Sequence, residues 1–104
     1  MTDQKKPTVY DNEAESRLEI AVDGALAVAE YEIANGVIAY THTIVPREFG
    51  GRGYGSLLAA AAMEKARKED LKVLPECSFI YAYMEKHPET RDLAHPEVTF
   101  HKQG

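Results

Sequence analysis

Apolar and polar residues alternate through the first 45 residues of the chain, and a period of two is that of β-strands with one buried face. In the first alternating stretch, positions 18, 20 and 22 are aliphatic, whereas positions 17 and 19 are charged. Asp23-Gly24 and Asn35-Gly36 follow such stretches, and both pairs are typical of tight hairpin turns. Pro46 ends the pattern, because proline donates no hydrogen bond to a sheet. The sequence therefore predicts an antiparallel meander of three strands, over 16–22, 25–33 and 37–45.

The second half of the chain changes to a helical period. Alanines and leucines recur every three or four positions over 53–68, and alanine has the best helix propensity, so this segment is predicted to be the main helix. A short apolar strand is predicted over 71–74, limited by Pro75. The order strand, helix, strand predicts that this strand lies parallel to the one before the helix, through a right-handed crossover.

A second, aromatic helix is predicted over 78–86, with Ser78 as its N-cap and His87-Pro88 at its end. The fold class is therefore α+β with a mixed sheet: an antiparallel β-meander followed by helix, strand and helix. Weaker signals leave four segments less defined: 1–8 as a flexible start, 9–12 as an extended piece or a turn, 90–93 as one further turn, and 98–100 as a short strand or a loose tail.

The composition is that of a single globular domain and disfavours some classes of binding partner. The 104 residues suit one domain, spanning 1–104, and 44% hydrophobic with 28% charged residues is ordinary for a globular protein. The net charge of −5 disfavours broad binding to nucleic acid or to an anionic membrane. Cys77 is the one cysteine, so no internal disulfide forms. The first residues lack an apolar signal core and no apolar run reaches the length of a membrane span, so we expect a cytoplasmic protein, a monomer or a weak dimer.

A glycine cluster joins the third strand to the main helix, and it consists of Gly50, Gly51, Gly53 and Gly55. Glycines let backbone N–H groups point at a ligand, and a helix N-terminus adds unpaired N–H groups and partial positive charge, so the cluster suits a phosphate. A Walker loop is excluded because no lysine follows the last glycine, and the dinucleotide fingerprint fails because Ser56 stands where its third glycine belongs. A tight turn without a ligand is the alternative.

The remaining pattern, Gly50-Gly51-Arg52-Gly53-Tyr54-Gly55, resembles the acetyl-CoA pyrophosphate loop of the GNAT superfamily of N-acetyltransferases. A compact subfamily of about this length is similar from 12 to 93, and the resemblance implies a minimal GNAT fold without the N-terminal helices of larger members. It rests on these pieces, in this order: Tyr40-Thr41-His42-Thr43, Val45-Pro46, Gly51-Arg52-Gly53-Tyr54-Gly55-Ser56, Leu71-Lys72-Val73-Leu74-Pro75-x-Cys77 and Tyr83-x-x-x-His87-Pro88.

The resemblance implies acetyl-CoA as co-substrate, held by the glycine loop and by the end of the third strand. Strand residues would pair with the pantetheine arm, and Arg52 would add a charge-assisted contact. Gly50 departs from the family pattern, which has Arg or Gln at that place. The expected cofactor-binding residues are Ile44, Val45, Gly50, Gly51, Arg52, Gly53, Tyr54, Gly55 and Ser56.

Three residues are candidates for the acetyl transfer itself. Cys77 follows the fourth strand and precedes a helix, a position that favours a reactive thiolate, so it could be a nucleophile or a general acid/base; a small buried hydrophobe is the alternative. His42 lies late in the third strand and exchanges its proton near neutral pH, which suits a base, or it is a solvated histidine. Tyr83 falls where many GNAT enzymes place the tyrosine that protonates the leaving thiolate, or it packs on the sheet.

Glu76 is a weaker base candidate, and His87, His95 and His101 lack metal-ligand spacing with Cys77, so no metal is expected. The sequence thus predicts transfer of an acetyl group from acetyl-CoA, a small-molecule donor, to an unidentified amine. Two other functions remain open at this point. One is a non-catalytic module that binds or senses acyl-CoA, and the other is a small α/β interaction protein whose glycine loop is only a turn.

Overall fold

The computed structural model describes residues 7–100, which form a five-stranded sheet and two α-helices. The strand order across the sheet equals the order along the chain; β1 to β4 are antiparallel neighbours, and β5 runs parallel to β4. The strands are β1 Tyr10–Asn12, β2 Arg17–Val22, β3 Ala25–Ala34, β4 Val37–Ile44 and β5 Lys72–Pro75. The α-helices are α1 Tyr54–Lys68 and α2 Ser78–Lys86, and 3₁₀ turns span Arg47–Phe49 and Pro88–Leu93.

The predicted meander is confirmed, together with the turn chemistry that sets its register. Both residues of each hairpin turn have positive φ: 51° at Asp23 and 82° at Gly24, then 53° at Asn35 and 77° at Gly36. Two positive φ values are what a two-residue turn of primed type requires, and Asn-Gly and Asp-Gly adopt them at low cost. The parallel pairing of β5 with β4 is also as predicted.

The core lies between one face of the sheet and the helices. Helix α1 presents small, fully buried alanines to the sheet, including Ala59, Ala62 and Ala66, so that the two backbones approach closely. The hydroxyl of buried Tyr40 on β4 donates a hydrogen bond to the carbonyl oxygen of Ala62 at 2.8 Å. Because that tyrosine also lies at the end of the β4–β5 pairing, the contact fixes the place where the two strands separate.

Several boundaries and one cap differ from the sequence-based predictions. The prediction that Ser78 caps α2 is wrong, because the side chain of Cys77 takes that role. β4 ends at Ile44, one residue earlier than expected, and β5 includes Pro75 because proline is tolerated at the end of an edge strand.

Three of the four less defined segments can be compared with the structure. Tyr10–Asn12 is extended and forms β1, and Pro88–Leu93 forms a longer turn than expected. Residues 98–100 form no strand, and the ring of Phe100 stacks on Tyr81 at a centroid distance of 5.2 Å. The expectation of a flexible start at 1–8 falls largely outside the described residues. None of the helices between residues 7 and 100 has the length and apolarity that crossing a membrane would need.

Candidate active site

The strands β4 and β5 separate part of the way along the sheet and leave a fork. Their pairing ends at Tyr40 and Pro75, and the last link is a hydrogen bond from the N–H of Cys77 to the carbonyl oxygen of Tyr40 at 3.0 Å. On its other side β4 carries a bulge, since Glu30 pairs with His42 whereas the next residue of β3 pairs with Tyr40. A bulge bends a strand and is common beside active sites. The end of β4 is thereby turned away from β5.

Cys77 lies at this fork and is held there by two contacts. Its sulfur accepts a hydrogen bond from the N–H of Ile80 at 3.4 Å, which makes it the side-chain N-cap of α2. The Oγ1 atom of Thr43 on β4 lies 3.2 Å from the same sulfur. The side chain is partly buried. The sulfur therefore has a fixed position between the two diverging strands, which suits a nucleophile, while its capping role is structural.

His42 faces the fork from the other side of the sheet. Successive side chains of a strand point to opposite faces, and the neighbouring Thr43 faces Cys77. The imidazole is exposed, with Nδ1 3.3 Å from a carboxylate oxygen of Glu30 and 3.2 Å from the hydroxyl of Thr41. The structure thus brings His42 to a carboxylate partner and places it, relative to Cys77, across the sheet.

A cleft of about 620 Å³ opens beside His42, and it is rich in carboxylates, two of which, Glu15 and Glu30, also interact with the guanidinium of Arg17. Its lining combines residues of the 13–16 turn, the bulged part of the sheet and the fork: Glu15, Ser16, Glu30, Tyr31, Glu32, Thr41, His42 and Glu76. Four of these eight side chains are carboxylates, and His42 is the one basic group among them. Such a lining raises the local concentration of cations.

The glycine loop presents an open backbone at the start of α1. Gly51 and Gly53 both have φ of 77°, and a Cβ at either would meet nothing within 4 Å. Gly53 is the N-cap and supplies no side-chain cap, and the first turn contains no acidic residue. Within residues 7–100 the N–H groups of Tyr54, Gly55 and Ser56 make no hydrogen bond. These unpaired donors at a helix N-terminus can hold an anion such as a pyrophosphate.

The other predicted loop residues contribute in different ways. The N–H groups of Gly50 and Arg52 already donate to carbonyl oxygens of the preceding 3₁₀ turn, at 2.9 and 3.2 Å. The side chain of Arg52 is exposed. Gly55 has a packing reason to be glycine, because a Cβ there would lie 2.7 Å from the ring of Phe79 on α2. The two predicted strand residues at the end of the fork, Ile44 and Val45, are 53% and 36% exposed, so apolar surface remains open there.

Tyr83 lies on α2, in a small cavity that it shares with Ser56 of the glycine loop. Its ring stacks on His87 at 3.9 Å, and the Nδ1–H of that histidine donates to the carbonyl oxygen of Tyr83 at 2.8 Å. Partial burial, and then the negative charge of Glu89, raise the pKa of Tyr83 above its ordinary value. The phenol therefore keeps its proton at neutral pH, which is the form that a general acid needs.

A group of carboxylates elsewhere could be mistaken for a metal site. Asp11, Glu13 and Glu69 bring one oxygen each within 4.8 Å of one another. The ammonium group of Lys65 lies among them, 2.7, 3.6 and 2.8 Å from the three carboxylates. Burial alone would lower the pKa of Lys65, but its hydrogen bonds to Asp11 and Glu69 raise it above the ordinary value. A protein cation thus already lies among these carboxylates and offsets part of their charge.

Sequence reasoning found the loop, the histidine and the cysteine but missed two partners. Thr43 contacts Cys77, a residue 34 positions later in the chain, and no local sequence pattern predicts that contact. In the sequence, the carboxylates of the cleft look like ordinary solvated residues on the polar side of strands. Only the pairing of β3 with β4 brings Glu30 beside His42. The assigned roles of the cofactor-binding and catalytic residues stay predictions.

Comparisons with known proteins agree with one another. The model of the GCN5-related N-acetyl-transferase family matches residues 17–93. Protein NATD1 of Xenopus tropicalis is 38% identical over 72 residues, which is 69% of this chain and 65% of that protein; the aligned part is thus just under two thirds of the relative's length. Protein NATD1 of Gallus gallus is 34% identical over 79 residues, covering 76% of this chain and 71% of that protein.

A solved structure shares the architecture. It is the NMR solution structure of a GCN5-like protein of Staphylococcus aureus, described as a candidate N-acetyltransferase, with 31% sequence identity and a TM-score of 0.70. The match covers 93% of this chain and 96% of that chain. The agreement extends over nearly the whole sheet and both helices, so the α+β fold class is confirmed.

Proposed function

This chain belongs to the GCN5-related N-acetyltransferase family, and from that premise we propose that it transfers an acetyl group from acetyl-CoA to an amine. One observation carries the proposal: the fork between β4 and β5 holds Cys77 against Thr43, and the start of α1, with its unpaired N–H groups, packs through Gly55 on Phe79, two residues after Cys77. Acetyl-CoA needs both features, since its phosphates require donors and its acyl group requires a fixed reacting partner.

The donor side of the site is the glycine loop with the end of β4. The N–H groups of Tyr54, Gly55 and Ser56 would hold the pyrophosphate, and the open conformation at Gly51 and Gly53 leaves room for it. The pantetheine arm would follow Ile44 and Val45, beyond the last pairing of β4 with β5. Arg52 would add positive charge from its exposed position.

The acceptor side is the acid-lined cleft on the opposite face. An amine is an ammonium ion at neutral pH, so a cleft with four carboxylates attracts it. The amine must lose a proton before it attacks, and His42 is a base within the same cleft, with Glu30 beside it to stabilise the imidazolium that forms. The charge of the lining thus favours a cationic acceptor over a neutral or anionic one.

The chemistry runs in two balanced steps through Cys77. The thiolate attacks the thioester carbonyl, the bond between that carbon and the CoA sulfur breaks, and Tyr83 donates its proton to the leaving thiolate and regains one from solvent, to which His42 later releases the proton of the amine. The amine would reach the acetyl-cysteine from the cleft through the gap beyond the last β4–β5 pair, its proton would pass to His42 on the cleft side, and the Cys77 thiolate would be released. Direct attack of the amine on acetyl-CoA is the competing route, in which the cysteine only caps α2.

Intact mass spectrometry after incubation with acetyl-CoA tests the two routes. The proposal predicts a mass gain of one acetyl group, which disappears in Cys77→Ala and is discharged when an amine is added. Binding of acetyl-CoA with amine acetylation but without the mass gain would favour direct transfer. Binding without any amine product would support a non-catalytic acyl-CoA module, the function that the glycine at position 50 favours. No binding at millimolar ligand would contradict the acetyltransferase assignment.

A further inference from the structure

The hydroxyl of Thr43 has one hydrogen-bond partner within residues 7–100, the sulfur of Cys77 at 3.2 Å. The contact is partly buried, in the fork where β4 and β5 separate. The other hydrogen bond of the sulfur comes from a backbone group, the N–H of Ile80 at 3.4 Å. Thr43 is therefore the side chain through which β4 acts on the sulfur, and the proposed chemistry gives this hydroxyl no role beyond contact.

The direction of this hydrogen bond depends on the protonation of the sulfur. As a thiol, Cys77 can donate its S–H to the hydroxyl oxygen of Thr43, which is a weak interaction. When the S–H bond breaks and its proton passes to solvent, the thiolate can only accept, so the hydroxyl of Thr43 turns to donate to it. Hydrogen bonds to a charged acceptor are about twice as strong as neutral ones. The contact therefore favours the thiolate over the thiol.

The elements around the sulfur add a favourable field and little opposing charge. Cys77 is the N-cap of α2, a helix of nine residues, and a helix N-terminus carries partial positive charge. The first turn of α1 contains no acidic residue. Glu76 and His42 line the cleft on the opposite face of the sheet, and Tyr83 on α2 keeps its proton at neutral pH. Among the described residues, no charged side chain forms a hydrogen bond or ion pair with the sulfur.

We propose that Thr43 is a positioning residue, whose hydroxyl donates to the Cys77 thiolate and favours the reactive form of the sulfur at neutral pH. This inference deepens the proposed function and rests on it, since it matters for acetyl transfer only if Cys77 is the nucleophile. The bond acts in both steps of that chemistry. It favours the thiolate that attacks acetyl-CoA, and later the thiolate that leaves when the amine takes the acetyl group. The acetyl-cysteine between the two steps carries no charge and accepts more weakly.

Alkylation by iodoacetamide tests the inference on the full chain without acetyl-CoA, because Cys77 is the one cysteine and intact mass reports it alone. Thr43→Val keeps a β-branched side chain and removes the hydroxyl. Its alkylation rate at pH 7 should fall about three-fold or more, since the lost thiolate is only partly offset by the higher nucleophilicity of what remains. At pH 9.5 an ordinary thiol is mostly ionised, so the variant should react as fast as wild type or faster.

Two further variants separate the hydroxyl from its surroundings. Thr43→Ser keeps a hydroxyl and should alkylate within about two-fold of wild type at both pH values. Thr90→Val is the matched control, because it also removes a threonine hydroxyl, one that donates to the carbonyl oxygen of His87 at 2.7 Å and makes no bond to the sulfur. It should leave the alkylation rate within about two-fold at both pH values. With acetyl-CoA at pH 7, the mass gain of one acetyl group should be slower in Thr43→Val than in Thr43→Ser.

Other outcomes separate this inference from the proposed function. An equal loss of rate at both pH values in Thr43→Val would overturn the inference, because it would reflect lost packing and not a lost donor to the thiolate. An unchanged rate at pH 7, or a serine variant as slow as the valine variant, would overturn it as well. Each of these results leaves the acetylation of wild type as it is. If wild type gains no acetyl group but alkylation follows the predicted pH dependence, Cys77 as nucleophile fails and the stabilised thiolate stands.

Discussion

The two α-helices of the protein begin in opposite ways. Helix α1 starts at Gly53, which has no side chain to offer, so its first N–H groups remain unpaired within residues 7–100. Helix α2 starts at Cys77, whose sulfur accepts the N–H of Ile80. Helix starts are normally closed by a polar side chain. The open start leaves N–H donors available to a ligand, whereas at the closed start the thiol of Cys77 itself stabilises its helix.

Because of this contrast, we expect the two helix starts to tolerate different amino-acid substitutions. At α1 the requirement concerns the backbone, because φ of 77° at Gly53 disfavours any residue with a Cβ. At α2 the requirement concerns one atom, the sulfur, which both caps the helix and meets Thr43. Four substitution experiments, or pairs of them, would sharpen or break the comparison.

The largest effect is expected from Gly53→Val. A β-branched residue is strained at positive φ, by about 1–3 kcal/mol, so the loop must change shape and the N–H groups at the start of α1 lose their common direction. We expect CoA affinity to fall by about 100-fold or more, measured by calorimetry.

Gly24→Val is the matched control for that experiment. Gly24 has φ of 82° with open space around it, but it lies in the hairpin between β2 and β3. It should cost a similar amount of stability and leave CoA affinity within about two-fold of wild type. An equal loss of affinity in both variants would mean that backbone strain in general, and not the open start of α1, governs binding.

Gly55→Ala should be the next largest effect, and it acts on stability. The added Cβ would lie 2.7 Å from the tip of the Phe79 ring, so this 40% exposed ring or the helix that carries it must shift. Overpacking of this kind costs about 1–3 kcal/mol, which denaturant titration would detect. The double variant Gly55→Ala, Phe79→Leu should recover part of the loss, because the smaller side chain makes room. No recovery would show that the cost comes from elsewhere.

Two substitutions, Cys77→Ala and Cys77→Ser, separate the role of Cys77 as the cap of α2 from its proposed role as nucleophile. Alanine removes the cap and should lower the free energy of unfolding by about 1 kcal/mol, whereas serine keeps an acceptor and should retain most of it. Both should abolish the acetyl mass gain. Full stability of the alanine variant would contradict the capping role, and acetylation of the alanine variant would contradict the role as nucleophile.

The smallest effect concerns the stability contributed by Lys65 on α1 and its partners, and it appears only at alkaline pH. Lys65 is hydrogen-bonded to Asp11, whose other oxygen accepts from the hydroxyl of Tyr31. Burial, followed by this hydrogen bond, raises the pKa of Tyr31, and the carboxylate hydrogen bonds raise that of Lys65 despite its burial. Groups whose pKa is raised on folding add stability that is complete below their unfolded pKa, near pH 10, and is lost as the pH rises further.

Denaturant titrations at pH 8 and above pH 10 would measure this loss. Wild type should be stable and unchanged between pH 7 and 9, and should weaken above pH 10. Tyr31→Phe should weaken less steeply, because one of the titrating groups is gone. A variant with the same pH slope as wild type would show that the tyrosine does not contribute.

The sequence predicted those parts of the fold that depend on local signals. The two turns and the alternation of β2 fix the meander because each hairpin is decided within a few residues. The cap of α2 was misassigned to Ser78 because a serine is the usual cap and the neighbouring thiol is a weak acceptor. Position 77 is in addition held by a backbone hydrogen bond to Tyr40, a contact between distant parts of the chain that the local sequence does not show.

For the candidate site, too, the sequence predicted only the features that depend on local signals. The glycines between β4 and α1 predict an anion site from local backbone freedom alone, and the structure confirms the open backbone while the anion itself stays a prediction. The bulge at Thr41, the contact between Thr43 and Cys77, and the gathering of carboxylates around His42 depend on strand register, which single positions do not reveal. The substitutions above therefore test what only the three-dimensional structure brings together.

The most direct test of the account follows the backbone amide signals of both helix starts by NMR during a titration with acetyl-CoA. The account predicts saturation at micromolar ligand, roughly −8 kcal/mol, with the largest shifts at the amides of Tyr54, Gly55 and Ser56. Gly24 and its hairpin should not respond. If those three amides stay unshifted at millimolar acetyl-CoA, the open start of α1 is only a turn, and the proposed acetyl transfer is wrong.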